Sequence, residues 1–157
     1  MILRLLFVCT GNTCRSPMAE AIARRFADER GLDVTASSAG TSAWEGAPAS
    51  DGALLVALEQ GLDLSVHRAQ VLSRELVAAA ELILVMSPHH GERAVVLGGE
   101  GRTHLLTDFA ARSTTGRPVQ DPFGGELDLY RQTFDEISRE IALVFDRLAA
   151  ERRTEDA

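Results

Sequence analysis

A chain of 157 residues, 45% hydrophobic and 25% charged, is one domain's worth of sequence, long enough to bury roughly 70% of the surface its unfolded form exposes without a metal or a disulfide staple. Thirteen Gly and five Pro exclude collagen-like and disordered classes. The sixteen basic residues, all Arg, are outnumbered by 23 acidic ones for a net charge of −7. That balance argues against a nucleic-acid or anionic-membrane surface and leaves any bound anion to a small local site.

The N-terminal run MILRLLFVC is too short for a membrane span and lacks the basic lead and cleavage site of a secretory signal, so a cytoplasmic, thiol-reducing location is expected. Within it, Leu3 to Val8 reads as a buried strand. The turn Cys9-Thr10-Gly11-Asn12-Thr13-Cys14-Arg15-Ser16-Pro17 follows, with Ser16 as N-cap and Pro17 at the first position of a helix that Gly31 ends. Val34 to Ala39 is a second strand, and Gly40 to Pro48 a loop carrying the single Trp, Trp44. Leu54, Leu55 and Leu58 mark a helix over 50–60. A short helix from Ser73 to Ala80 leads to a third strand, Leu82 to Met86. Ser87 and Pro88 open another helix through Leu97, and Thr103 to Thr107 is a fourth strand.

Residues 116–125 form a long loop containing Asp121-Pro122. Apolar residues from Leu129 to Leu148 repeat at helical spacing for over five turns. Residues 1–150 are expected to form a single domain, with 151–157 a charged, frayed tail. Strands alternating with helices imply a parallel α/β sheet with helices on both faces and a ligand site at the strands' carboxyl ends. The Cys9–Ser16 loop sits at such an end.

A loop that leaves a strand and opens a helix aims several backbone N–H groups at one spot beside the positive end of the helix dipole. Gly11 permits the close approach and positive φ that such a cradle needs, and Asn12 tolerates the same region while its amide braces the loop. Arg15 offers a planar fork for two phosphate oxygens. Cys9 lies at the bottom, its thiol expected to be lowered by the helix N-terminus, Arg15 and the Ser16 hydroxyl. The spacing of Cys9 and Arg15 alone is also compatible with an inert buried Cys. The preceding strand, the Ser-Pro helix start and the Gly-Asn pair favour a nucleophile aimed at phosphorus. Asp121-Pro122 alone reads as a turn start; beside a phosphate site it becomes a candidate proton donor, with Phe123 as an apolar wall.

The run Val8-Cys9-Thr10-Gly11-Asn12-Thr13-Cys14-Arg15-Ser16-Pro17-Met18-Ala19-Glu20, with Ser38-Ala39-Gly40-Thr41 and Asp121-Pro122-Phe123, resembles the low-molecular-weight protein tyrosine phosphatase family. The resemblance implies a four-stranded parallel sheet in order 2-1-3-4. It also implies a protein phosphatase in which Cys9 forms a phosphocysteine intermediate, and Arg15 with loop residues 10–16 (Thr10, Gly11, Asn12, Thr13, Cys14, Ser16) holds the phosphate. Asp121 would act as acid and then base. The resemblance implies no metal or cofactor and a phosphorylated protein as partner, and the chain is expected to be a monomer.

Thr13 and the stretch Phe123-Gly124-Gly125 depart from the tyrosine pattern and resemble the protein arginine phosphatase subgroup. A hydroxyl and a carboxylate at the rim suit a guanidinium with N–H donors, and Phe123 can stack on its face. Trp44, as a pocket wall, favours tyrosine; as a loop anchor it favours neither. An arsenate reductase resembling this loop needs a further Cys that the chain lacks. A flavin carrier is disfavoured by the sparse aromatics, and a non-catalytic phosphoprotein-binding module would keep the cradle without turnover. Cys14 is the candidate resolving thiol for Cys9. The four His residues complete no zinc set, and His67 and His104 read as loop or surface positions.

Overall fold

The computed structural model describes residues 2–156. It comprises β1 (Leu3–Cys9), α1 (Arg15–Arg30), β2 (Val34–Gly40), α2 (Asp51–Glu59), α3 (Arg74–Ala79), β3 (Leu82–Val85), α4 (Pro88–Ala94), β4 (Thr103–Leu105), α5 (Leu106–Ala111) and α6 (Leu127–Asp156). The four strands form one parallel sheet in the order β2-β1-β3-β4. Central β1 is buried on both faces, which is why its sequence is nearly uninterrupted in apolar residues. Leu5, Phe7 and Cys9 join a core with α1, α2, α5 and α6. Leu6 and Val8 face the other way, toward Val77 of α3 and Ala94 of α4.

Several boundaries differ from the sequence reading. The first helix begins at Arg15 with Cys14 at its N-cap, and no side chain caps it; the Ser16 hydroxyl is turned to Cys9 instead. Gly31, at φ 61, ends the helix as expected. In α2 the inward residues are Ala53, Val56 and Ala57, while Leu55 and Leu58 are exposed. Leu54 packs partly buried against the core, so of the leucine stripe only Leu55 and Leu58 lie on the outer face. The small residues lie inward because Tyr130 of α6 packs against Gly52: a Cβ there would fall 2.5 Å from the ring. The helix after Ser87 changes at Val95 into a wider turn ending at Gly99, with Gly98 at φ 107. The fourth strand stops at Leu105 and gives way to α5, whose Leu106, Phe109 and Ala110 are buried. Residues 151–156, read as a frayed tail, continue α6.

Parallel pairing places Cys9 beside Gly40 and Val8 beside Val85. The loops that leave β1, β2 and β3 therefore meet at one end of the sheet.

Candidate active site

The turn between β1 and α1 wraps around the Cys9 sulfur. The Asn12 amide donates to Sγ at 3.2 Å and the Ser16 hydroxyl lies 2.9 Å from it. The residue with positive φ is Asn12, at 56°, and not Gly11. Asn is one of the few side chains that accept this conformation, because its short amide bonds locally. Fully buried, it donates through Nδ2 to Ser16 Oγ (2.8 Å) and Ser38 Oγ (2.9 Å) and accepts from the Gln70 amide at 3.0 Å. With Ser16 Oγ accepting from Asn12, its own hydrogen is free for Cys9, whose thiolate can only accept. Ser38 likewise passes its hydrogen to Glu20. His67 donates to the Asn12 carbonyl at 2.7 Å. Gly40 completes the support: a Cβ on it would lie 2.5 Å from the Thr10 carbonyl oxygen, so only glycine lets β2 run this close to the loop.

Burial pushes the Cys9 thiol up from its ordinary range, and the Ser16 hydroxyl, the Ser16 and Asn12 amides and Arg15 pull it down. The sequence reading counted only the donors and expected a lowered thiol. In this buried loop desolvation is the larger effect, because a thiolate there has lost its water.

Arg15 is 4% exposed. Its Nη1 donates to the Val119 carbonyl at 2.9 Å and to Ser87 Oγ at 3.4 Å, and its Nη2 lies 3.7 Å from Asp121 Oδ2. The Asp121 loop is thus tied to the Cys9 turn by the buried guanidinium. Asp121 is half exposed and accepts the Phe123 amide at 3.1 Å. Thr10 and His90 Nε2 are 2.8 Å apart.

A cleft of about 200 Å³ is lined by Cys9, Thr10, Gly11, Thr13, Cys14, Arg15, Asp121 and Phe123. Those residues span both loops, and Phe123 stands exposed at the rim. Asn12 and Ser16 lie behind the cleft as bracing. Trp44 is 84% exposed and is not among the lining residues. Cys14 is buried with its sulfur 3.1 Å from Ser50 Oγ and 3.5 Å from the Tyr130 hydroxyl; both cysteines are free thiols. Among the described residues no cluster of His, Cys, Asp or Glu could hold a metal ion, and no helix is long and apolar enough to cross a membrane.

Sequence reading missed His67, Gln70, Ser87, His90 and Val119. Their only signal is topological: Ser87 and His90 follow β3, whose carboxyl end abuts that of β1, Val119 sits on the loop Arg15 reaches, and His67 and Gln70 lie in the segment between α2 and α3 that pairs with Gly40 through Val71.

Residues 4–154 match the family model for low molecular weight phosphotyrosine protein phosphatase. The protein-arginine-phosphatase of Bacillus subtilis is 36% identical over 149 residues, 95% of this chain and 99% of its own. The low molecular weight protein-tyrosine-phosphatase PtpB of Staphylococcus haemolyticus is 37% identical over 136 residues, 86% of this chain and 92% of its own. A solved structure of the YwlE arginine phosphatase, in a mutant with a phosphorylated active-site serine, superposes with a TM-score of 0.90 at 35% identity, covering 96% of this chain and 99% of that one.

Proposed function

The chain belongs to the low molecular weight phosphotyrosine protein phosphatase family, and on that premise we propose that this phosphoprotein phosphatase removes its phosphoryl group from arginine. The observation that carries the reading is the composition of one small cleft, which Thr13 and Asp121 line together with Cys9. Phosphoarginine brings N–H donors within reach of the phosphorus, and a hydroxyl and a carboxylate are acceptors for them. Phe123 at the rim offers a face for the guanidinium plane. The relative named protein-arginine-phosphatase, alike over nearly its whole length, supports the same choice.

In this reading Cys9 attacks phosphorus in line as the thiolate, the form that the Ser16 hydroxyl, the Ser16 and Asn12 amides and Arg15 favour against the cost of burial; a sulfur–phosphorus bond forms as the nitrogen–phosphorus bond breaks. Arg15 and the loop amides hold the equatorial oxygens where charge develops. Asp121 gives its proton to the leaving guanidine nitrogen, then takes one from the water that hydrolyses the phosphocysteine to inorganic phosphate. The bonds from Ser16 and Asn12 to the sulfur hold the thiolate as nucleophile and again as leaving group.

Phosphate release from phosphoarginine, phosphotyrosine and phosphoserine peptides of one sequence tests the reading, with Cys9→Ser as blank. A higher kcat/KM on phosphoarginine supports it. A several-fold preference for phosphotyrosine replaces it with the tyrosine-specific activity that PtpB is named for.

A further inference from the structure

The His90 ring is fully buried behind the cleft, with Nε2 2.8 Å from the Thr10 hydroxyl oxygen. Among the described residues its Nδ1 has no hydrogen-bond partner, and His90 is the Thr10 hydroxyl's only one. Burial, then the neighbouring His89 and Arg15, push the ring down to about 3, so it is neutral throughout the working range. A neutral imidazole carries one proton on one of two nitrogens. Placed on Nδ1, it would be a buried donor facing no acceptor, the costlier kind of orphan. Placed on Nε2, it is donated to Thr10 Oγ1, and Nδ1 keeps only an unused lone pair.

The geometry points to His90 as a positioning residue: its Nε2–H occupies a lone pair of Thr10 Oγ1 and so commits the Thr10 hydroxyl hydrogen to an acceptor in the cleft. Thr10 lines that cleft beside Cys9 and Arg15, and its carbonyl is held by the Ser42 amide at 2.9 Å. With backbone and Oγ1 both fixed, the remaining freedom of the residue is the direction of one O–H bond. A phosphoryl oxygen above Cys9 is the acceptor available to it, which rests on the reading that the cleft binds a phosphoryl group. Thr10 thereby adds a side-chain donor to the backbone cradle. His90 neither touches substrate nor transfers a proton.

The test compares wild type with Thr10→Val, His90→Phe, His90→Gln and the double variant Thr10→Val/His90→Phe. The readouts are the competitive inhibition constant of inorganic phosphate and kcat/KM on an aryl phosphate. Activity in wild type and its loss in Cys9→Ser verify the cleft reading separately. Thr10→Val and His90→Phe should each weaken phosphate by about tenfold, the worth of one hydrogen bond. The double variant should be no weaker than Thr10→Val, and His90→Gln, which restores a donor, should recover most of the loss. The pH–rate limbs should not move. Unchanged phosphate binding in His90→Phe, or losses that multiply in the double variant, overturn the proposal. Should His90→Phe fail to fold, the ring nitrogen resonances of the unmodified protein decide: a proton on Nε2 supports the proposal and one on Nδ1 contradicts it.

Discussion

Arg15 Nη1 donates to the Val119 carbonyl at 2.9 Å, so the residue that follows the nucleophile's turn also anchors the loop that carries Asp121. The same guanidinium stands 3.7 Å from the Asp121 carboxylate. One side chain therefore spaces nucleophile and acid, and its fixed fork is matched to both jobs.

Arg15→Lys should lower kcat/KM by roughly 10²-fold or more, the scale of losing one donor to developing oxyanion charge. Lys keeps the charge but cannot hold Val119 and phosphate at once. Steady-state kinetics on an aryl phosphate check this, and near wild-type activity would show that charge alone suffices.

Asn12→Ala places a β-carbon residue at φ 56 and deletes the amide's bonds to Ser16, Ser38 and Gln70. An unfavourable backbone of about 1–2 kcal/mol and unpaired buried groups of about 1–3 kcal/mol should together produce a clear drop in Tm. Asn12→Gly relieves only the backbone part. Thermal melts of the two should therefore rank wild type above Gly above Ala.

The ranking also shows how much of the site was legible. A strand, a Gly-Asn turn and a Ser-Pro helix start declare an anion cradle, because each is a local feature. Which residue takes the positive φ is not local. Asn12 takes it because Ser38 of β2 and Gln70 and His67 of the segment between α2 and α3 arrive to hold it, and Gly11 is left in ordinary backbone. The same limit applies to Leu55 and Leu58, whose spacing is helical while Gly52 and Tyr130 decide which face turns inward. His90 was unreadable because its adjacency to His89 carries no hint that β3 ends beside β1. The parallel pairing was readable, since buried strands alternating with helices imply it; the order 2-1-3-4 came only from the resemblance to the phosphatase family.

Thr13→Ile should reduce the ratio of phosphoarginine to phosphotyrosine turnover by about tenfold, the value of one hydrogen bond. Thr13 lines the cleft, while its carbonyl is held by the Ser50 amide at 2.9 Å, so the backbone stays in place on substitution. A ratio unchanged by the substitution would remove Thr13 from the specificity argument.

Stability should fall with acid through His90. In the unfolded chain the ring takes a proton near pH 6.5, and in the folded chain only near about 3. Between those values the unfolded state binds the extra proton, so stability is full above pH 6.5 and is lost as pH falls. By about pH 4.5 the loss should approach roughly 3 kcal/mol. Urea unfolding of wild type and His90→Gln at both pH values measures it: the variant should show a correspondingly smaller decline, and equal declines would place the acid sensitivity elsewhere.

Peroxide should inactivate the protein by oxidising Cys9 to a sulfenic acid, whose sulfur the Cys14 thiol then attacks, forming a disulfide as the S–O bond breaks and water leaves. Cys14 waits buried between Ser50 and Tyr130. Dithiothreitol should restore activity in wild type and fail to do so in Cys14→Ser, where Cys9 is left to over-oxidise. Full recovery in that variant would make Cys14 a structural thiol.

The most direct test of the account is acid-quenched mass spectrometry after mixing with a phosphoarginine peptide. Rapid quenching of wild type should catch a phosphoryl group on the peptide containing Cys9 before phosphate is released, and Asp121→Asn, which loses both the acid and the base, should slow the formation and the hydrolysis of that species. Phosphate release from phosphoarginine with no label on Cys9, or a label formed from phosphotyrosine alone, would contradict it.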